Sequence, residues 1–150
     1  MSDGTGLDHD APRYQQLKAW QLSDDLAVNI YTFSKRLPRS EFWLKDQIVR
    51  AAISAPANIA EGYGRGSNKE FAQFLVVAHG SLYEVDYFLH FLNRIELIER
   101  EKCAELTADC RQASKLTFGL LRAARSDAKA TDTKQRYLRE EPAVYGLDLA

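Results

Sequence analysis

The side chains best suited to chemistry lie on the last helical pattern of the chain, where Arg111, Lys115, Arg122 and Arg125 recur at helical spacing. At 100° per residue, Arg111, Lys115 and Arg122 fall within about 40° of one another and Arg125 lies on the near side, giving a cationic line roughly 20 Å long. Phe118 stands in that line. Cations in a row suit a polyanion, and an aromatic ring among them can stack on a nucleobase. The blander readings are a solvated polar face and a ring that plugs a subunit boundary. For a lone subunit the solvated face prevails, whereas a ring of subunits would repeat the line and multiply its potential. A second candidate is the turn Gly62-Tyr63-Gly64-Arg65-Gly66. There Arg65 and Lys69 flank backbone donors at a helix start, which can bind a phosphate of RNA or DNA. It is not a nucleotide-type phosphate loop, because a helix rather than a strand precedes it.

Five further polar residues fit structural roles. If the second and third helices turn around a point near Arg65, facing residue numbers sum to about 130. That register predicts a buried ion pair between Arg50 and Glu84, with Gly80 and Ser81 giving room for close approach. Truncating one partner of such a pair costs several kcal/mol, so Glu84→Ala is expected to hurt folding. Asn58 is expected to satisfy the carbonyl freed by Pro56, and Glu61 to reach back to the turn at Ser67; a polar binding site is the alternative for both.

Enzyme and metal chemistry find little support. His79 and His90 share a helix face but stand about 16 Å apart, too far to hold one ion. The residues three before them, Val76 and Tyr87, are not the glutamates that a carboxylate-bridged metal bundle needs. Cys103 and Cys110 lie about 10 Å apart along one helix, so reduced thiols are expected. No nucleophile triad, dinucleotide fingerprint or cysteine motif is present, so no cofactor, no metal and no catalysis are predicted.

The elements that must position these residues follow from periodicity. The chain has 150 residues, of which 45% are hydrophobic, enough for one domain with its own core. Leu22, Leu26, Ile30, Phe33 and Leu37 mark a first helix ending at Pro38. Leu44, Ile48, Ala52, Ala55 and Ile59 mark a second, kinked near Pro56 and stopped at Gly62, read as a left-handed cap. Ser67-Asn68-Lys69-Glu70 is a capping box that starts a third. Its seam is Phe71, Leu75, Ala78, Leu82, Val85, Leu89 and Leu92. A second stripe of Phe74, Val77, Ser81, Phe88 and Phe91 suggests contact with another subunit. After a turn around 95–100, Leu106, Cys110, Ala113, Thr117, Leu120 and Ala124 mark a fourth. The expectation is an all-α, antiparallel up-and-down four-helix bundle over 14–125, between flexible arms at 1–13 and 126–150.

Charge limits the partners. The whole chain carries −1, and residues 14–125 hold 15 bases against 13 acids. Any grip on nucleic acid must therefore come from one face. The longest apolar runs are far too short for a membrane span, and the first 13 residues lack an apolar signal, so a soluble, cytoplasmic protein is expected.

Four ordered stretches carry a family resemblance: Leu17-Lys18-Ala19-Trp20-Gln21, Gln47-Ile48-Val49-Arg50-Ala51-Ala52, Asn58-Ile59-Ala60-Glu61-Gly62 and Gly80-Ser81-Leu82-Tyr83-Glu84. Together they resemble the bacterial four-helix-bundle proteins encoded in intervening sequences of 23S rRNA genes. That group includes the accessory variability determinant of diversity-generating retroelements. The similarity spans about residues 16–122. It implies a bundle that assembles as a homo-oligomeric ring, a pentamer in the accessory protein, and contacts nucleic acid and a reverse transcriptase through basic surface. Val49 stands where a second arginine is common, Ala55 replaces a larger aliphatic, and Trp43 sits where glycine is frequent. The functional expectation is a non-catalytic oligomer that binds nucleic acid or assists a reverse transcriptase. Its rival is a protein-binding scaffold without nucleic-acid affinity.

Overall fold

The computed structural model describes residues 11–140, with side chains described through Arg136. The described residues form four helices, α1 (Lys18–Ser34), α2 (Phe42–Tyr63), α3 (Asn68–Arg94) and α4 (Arg100–Glu140), with one 3-10 turn before α1 (Arg13–Gln16) and another between α1 and α2 (Arg39–Glu41). Each helix packs on two neighbours, in the order α1–α2–α3–α4 and back to α1, while the diagonal pairs make no close backbone contact. Short connections force consecutive helices to run antiparallel, which is the up-and-down bundle the periodicity calls for.

The seams read from sequence are the core. Leu26, Ile30, Leu44, Ile48, Ala52, Ala55, Ile59, Leu75, Ala78, Leu82, Val85, Leu89 and Leu92 are essentially without solvent exposure. Each large aliphatic among them contributes about 1.5–3 kcal/mol by leaving water, against the entropy of fixing the chain. On α4 the buried series is Leu106, Cys110, Ala113, Thr117, Leu121 and Ala124. Leu121, not Leu120, takes the fifth place, because a step of four from Thr117 keeps the side chain over the seam.

Helix ends follow local chemistry. Ser67 Oγ accepts the Glu70 backbone N–H at 3.2 Å, so the N-cap forms where expected, while the Glu70 carboxylate accepts from the Ser67 hydroxyl at 3.1 Å in place of the Ser67 backbone N–H of a full capping box. α1 ends at Ser34, a turn before Pro38, though Leu37 still packs into the core. α2 contains Pro56 and remains one helical element from Phe42 to Tyr63.

Gly62 is not the left-handed cap read from the sequence. Gly64 closes α2 with an ordinary φ of −77°, and within this turn the residue at positive φ is Gly66, at +85°. Gly62 is buried inside the last turn, where a side chain would collide with α3: a Cβ there would stand 2.5 Å from Phe74 Cβ. Its type is set by a helix–helix crossing rather than by backbone conformation.

α4 also departs from expectation. It does not stop near Arg125 but runs on to Glu140. Beyond Ala124 every described side chain is exposed except half-buried Ala128. Burial on α4 thus stops at Ala124 apart from Ala128, while the alternating-charge stretch after it continues the rod as an exposed helix. The expected arm over 1–10 and the tail residues 141–150 lie outside the described residues, as do the side chains of Tyr137 and Leu138.

Candidate nucleic-acid interface

α3 and α4 are locked in register by four cross-contacts. The Cys103 thiol donates to the Leu89 carbonyl at 3.5 Å and the Cys110 thiol to the Leu82 carbonyl at 3.1 Å. Nearer the surface, Arg111 Nε pairs with Asp86 Oδ2 at 3.0 Å, and the His79 and Phe118 rings lie 5.5 Å apart. Small residues at this seam, Ala78, Cys110 and Ala113, keep the two helices close while the larger side chains splay outward as walls.

Between those walls an open cavity of about 500 Å³ is lined by His79, Tyr83, Asp86, Arg111, Ser114, Lys115 and Phe118. A second, of about 400 Å³, adjoins it, sharing Tyr83, Asp86 and Arg111 and adding Tyr87, His90, Asn93, Cys103 and Thr107. Together they form one groove along α3 and α4. Tyr83 is 64% exposed, Tyr87 59% and Phe118 44%. His79 meets Tyr83 edge-on at 4.9 Å, and Tyr87 lies 6.5 Å from His90. Partial burial pushes the His79 imidazole below its ordinary pKa, which favours the neutral ring at neutral pH.

The charges read from sequence separate into two kinds. Arg111 is tied to Asp86, so its charge is largely offset in place. Lys115 lines the groove, and Arg122 lies exposed two turns further along the same stripe; neither has an ion-pair partner among the described residues. Arg65 and Lys69 lie elsewhere, at the α2–α3 turn. The Arg65 guanidinium pairs with Glu61 at 2.8 Å and sits over the Phe74 ring at 5.1 Å, while Lys69 is exposed. The groove and the turn are two separate patches, and the sequence reading does not join them.

The polar residues assigned structural roles fare unevenly. Ser81, expected only to give room for a close approach, is buried, donates to the Val77 carbonyl at 2.9 Å and meets Ser54 Oγ of α2 at 2.8 Å. Arg50 does not pair with Glu84. It binds Asp46 at 3.0 Å, one turn back on its own helix, with side-chain exposures of 77% and 40%. Glu84 is exposed, and Gly80 faces open space rather than a close approach. The reason is register: Ser54 faces Ser81 and Gly62 faces Phe74, so facing numbers sum to about 135 instead of 130, and Arg50 lies on the outer side of α2. Glu84→Ala is therefore expected to change the unfolding free energy by less than about 0.5 kcal/mol, as surface substitutions do. A urea titration reads this directly, and a loss of several kcal/mol would restore the buried pair.

Asn58 donates to the Ser54 carbonyl at 2.7 Å, not to the Ala52 carbonyl that Pro56 leaves free, because its side chain reaches back one turn. Glu61 likewise pairs forward with Arg65 instead of reaching the Ser67 turn.

The rings of Tyr83, Tyr87, His79 and His90 were not singled out together from sequence as a binding face. Their signal was there, in rings at 79, 83, 87 and 90, all within one stripe of α3. Among the described residues no group of three or more His, Cys, Asp or Glu is placed to hold a metal ion, and no helix is long and apolar enough to cross a membrane.

Comparison with known proteins agrees with this architecture. A crystal structure of a protein of unknown function from the S23 ribosomal protein family of Bacteroides thetaiotaomicron superposes with a TM-score of 0.66 at 29% identity, covering 69% of this chain and 95% of that one. No curated protein matches the chain. The sequence pattern of the 23S rRNA-intervening sequence proteins matches residues 15–119, which take in α1, α2, α3 and the groove-lining part of α4. The chain belongs to the 23S rRNA-intervening sequence protein family.

Proposed function

We propose that this protein is a non-catalytic binding protein of the cytoplasm, and that its α3–α4 groove engages nucleic acid. The observation that carries the proposal is the groove itself: Lys115, without an ion-pair partner among the described residues, shares an open cavity with exposed rings, and Arg122 extends the same stripe. Unpaired cations can exchange their counterions for phosphates, and rings beside them can meet bases. Arg111 contributes less than its place in the stripe suggests, because Asp86 holds it. The Arg65–Lys69 turn supplies a second, weaker phosphate contact of the same class.

The test is fluorescence anisotropy with labelled RNA and DNA at about 50 and 200 mM salt. Binding is expected at low salt and should weaken modestly as salt rises, with the shallow slope of log affinity against log salt that two free cations, Lys115 and Arg122, imply. The double charge reversal Lys115→Glu with Arg122→Glu should weaken it at least about tenfold and flatten the salt dependence. Absence of binding at low salt, or binding indifferent to both reversals, would leave the protein-binding scaffold as the function.

That second reading has its own support. Phe42 and Trp43 at the start of α2, Ile53 further along it, and Val76 and Val77 on α3 are all between 46% and 69% exposed. Large apolar side chains left uncovered on two adjacent helices suit contact with further subunits. A homo-oligomer, a pentamer on the family resemblance, would cover them and bring several copies of the groove together, giving avidity to a nearly neutral subunit. Light scattering after size exclusion gives the stoichiometry. A polynucleotide-handling enzyme such as a reverse transcriptase is the partner that such an assembly would serve.

A further inference from the structure

We infer that the nucleic acid taken by the α3–α4 groove is an unpaired strand, held by stacking of its bases on the exposed rings more than by charge. This rests on the reading of the groove as a nucleic-acid interface and specifies what that interface selects.

Three observations support it. First, the groove is rich in ring faces and poor in net charge. Tyr83 and Tyr87 are more than half exposed and Phe118 is 44% exposed, yet Asp86 offsets Arg111 and leaves Lys115 as the one cation lining the groove without an ion-pair partner among the described residues. A duplex offers a protein mainly phosphates and groove edges, and its base faces are hidden in the stack. A site with so little net charge gains little from a duplex. An unpaired strand exposes its base faces, and each such face can stack on a ring.

Second, the ring spacing fits a drawn-out strand. Along α3, His79, Tyr83, Tyr87 and His90 follow at steps of four, four and three residues. At about 1.5 Å per residue the steps of four rise roughly 6 Å and the step of three roughly 4.5 Å. Bases in a duplex strand repeat every 3.4 Å or so, which is too short to pair one base with one ring. A strand seated on these rings has its bases separated, with side chains between them.

Third, half-buried His79 anchors the rings while Tyr83, Tyr87 and Phe118 stay exposed. His79 is braced on one side by Tyr83 at 4.9 Å and on the other by Phe118 at 5.5 Å, which joins the α3 rings to the α4 stripe that carries Lys115. Rings pre-positioned in this way lose little freedom when a base arrives. Polar neighbours along the groove, Ser114 and Asn93, suit the edges of bases rather than the apolar ridge of a partner helix.

The experiment uses the full chain with labelled 20-nucleotide single-stranded RNA, single-stranded DNA and a 20-base-pair duplex of mixed sequence. Both single strands are expected to bind at least about tenfold more tightly than the duplex. Tyr83→Ala with Tyr87→Ala should weaken single-strand binding by about tenfold or more with little change in salt dependence, whereas Tyr83→Phe with Tyr87→Phe should retain it. Both tyrosines are surface residues, so circular dichroism melts should match those of the native chain. Duplex binding equal to or tighter than single-strand binding overturns the inference alone, as does loss of binding on Lys115→Glu while the double alanine variant binds normally. Failure of every nucleic acid to bind overturns the inference together with the reading on which it rests. If the double alanine variant instead changes the oligomeric mass, the rings are a subunit contact and the inference is overturned.

Discussion

Gly62→Val will destabilise the bundle by about 3 kcal/mol, and Gly62→Ala by about 1 kcal/mol, measured by urea unfolding of each variant beside the native chain. Two effects compete at this position. Glycine inside a helix is worse than alanine by about 1 kcal/mol, so a substitution that fitted would stabilise α2. Space decides otherwise. A Cβ at Gly62 would lie 2.5 Å from Phe74 Cβ and 3.0 Å from the Phe71 ring. The nearer of these atoms is fixed to the α3 backbone, so relief requires α2 and α3 to move apart, not a rotamer change. Separation would also disturb the edge contact of Tyr63 with Phe71 at 5.9 Å and the seat of Arg65 over Phe74. An alanine variant more stable than the native chain would show that the two helices separate at little cost.

The second large effect concerns the thiols. Burial pushes Cys110 from 9.0 up to about 12, with the Asp86 carboxylate adding to the rise and Arg111 opposing it. At any pH below the lower value, the folded protein then carries about a thousandth of the thiolate that the unfolded chain carries at this residue. A thiol reagent at pH 8 should modify half-buried Cys103 first and leave Cys110 until the chain unfolds in denaturant. Two equally fast thiols in the folded protein would contradict the packing of the α3–α4 seam. The same rise has a consequence for stability. The unfolded chain loses this proton near 9 while the folded chain holds it to about 12. The contribution of Cys110 is thus complete below pH 9 and declines as the pH climbs from 9 toward 12. The fall in urea midpoint between pH 8.5 and 10.5 should be smaller in Cys110→Ala.

The helices were legible because burial demands periodicity. Leu44, Ile48, Ala52, Ala55 and Ile59 must share one face to leave water together, and all five are buried. The α3 start was equally plain, since Ser67 and Glu70 satisfy a local need for donors and acceptors within four residues. What failed was whatever depended on the alignment of one helix with the next. An error of about five in the α2–α3 register was enough to propose an Arg50–Glu84 pair where the structure has Arg50 on Asp46. The same limit hid the role of Gly62, because its partner Phe74 lies across a helix crossing. The cationic stripe of α4 was found from spacing alone, but the removal of Arg111 by Asp86 was not, since Asp86 comes from α3.

The sequence by itself therefore determined four amphipathic helices, their order, their main cap and the stripe that carries Lys115 and Arg122. Each of these depends on residues within a few turns of one another, where 1.5 Å and 100° per residue fix the geometry. Only the tertiary structure decided which charges stay free, which glycine is a crossing point, and that the α3 rings and the α4 cations line one groove. Those outcomes hang on axial offsets between helices, and a shift of a single turn, about 5.4 Å, exchanges every partner across the seam.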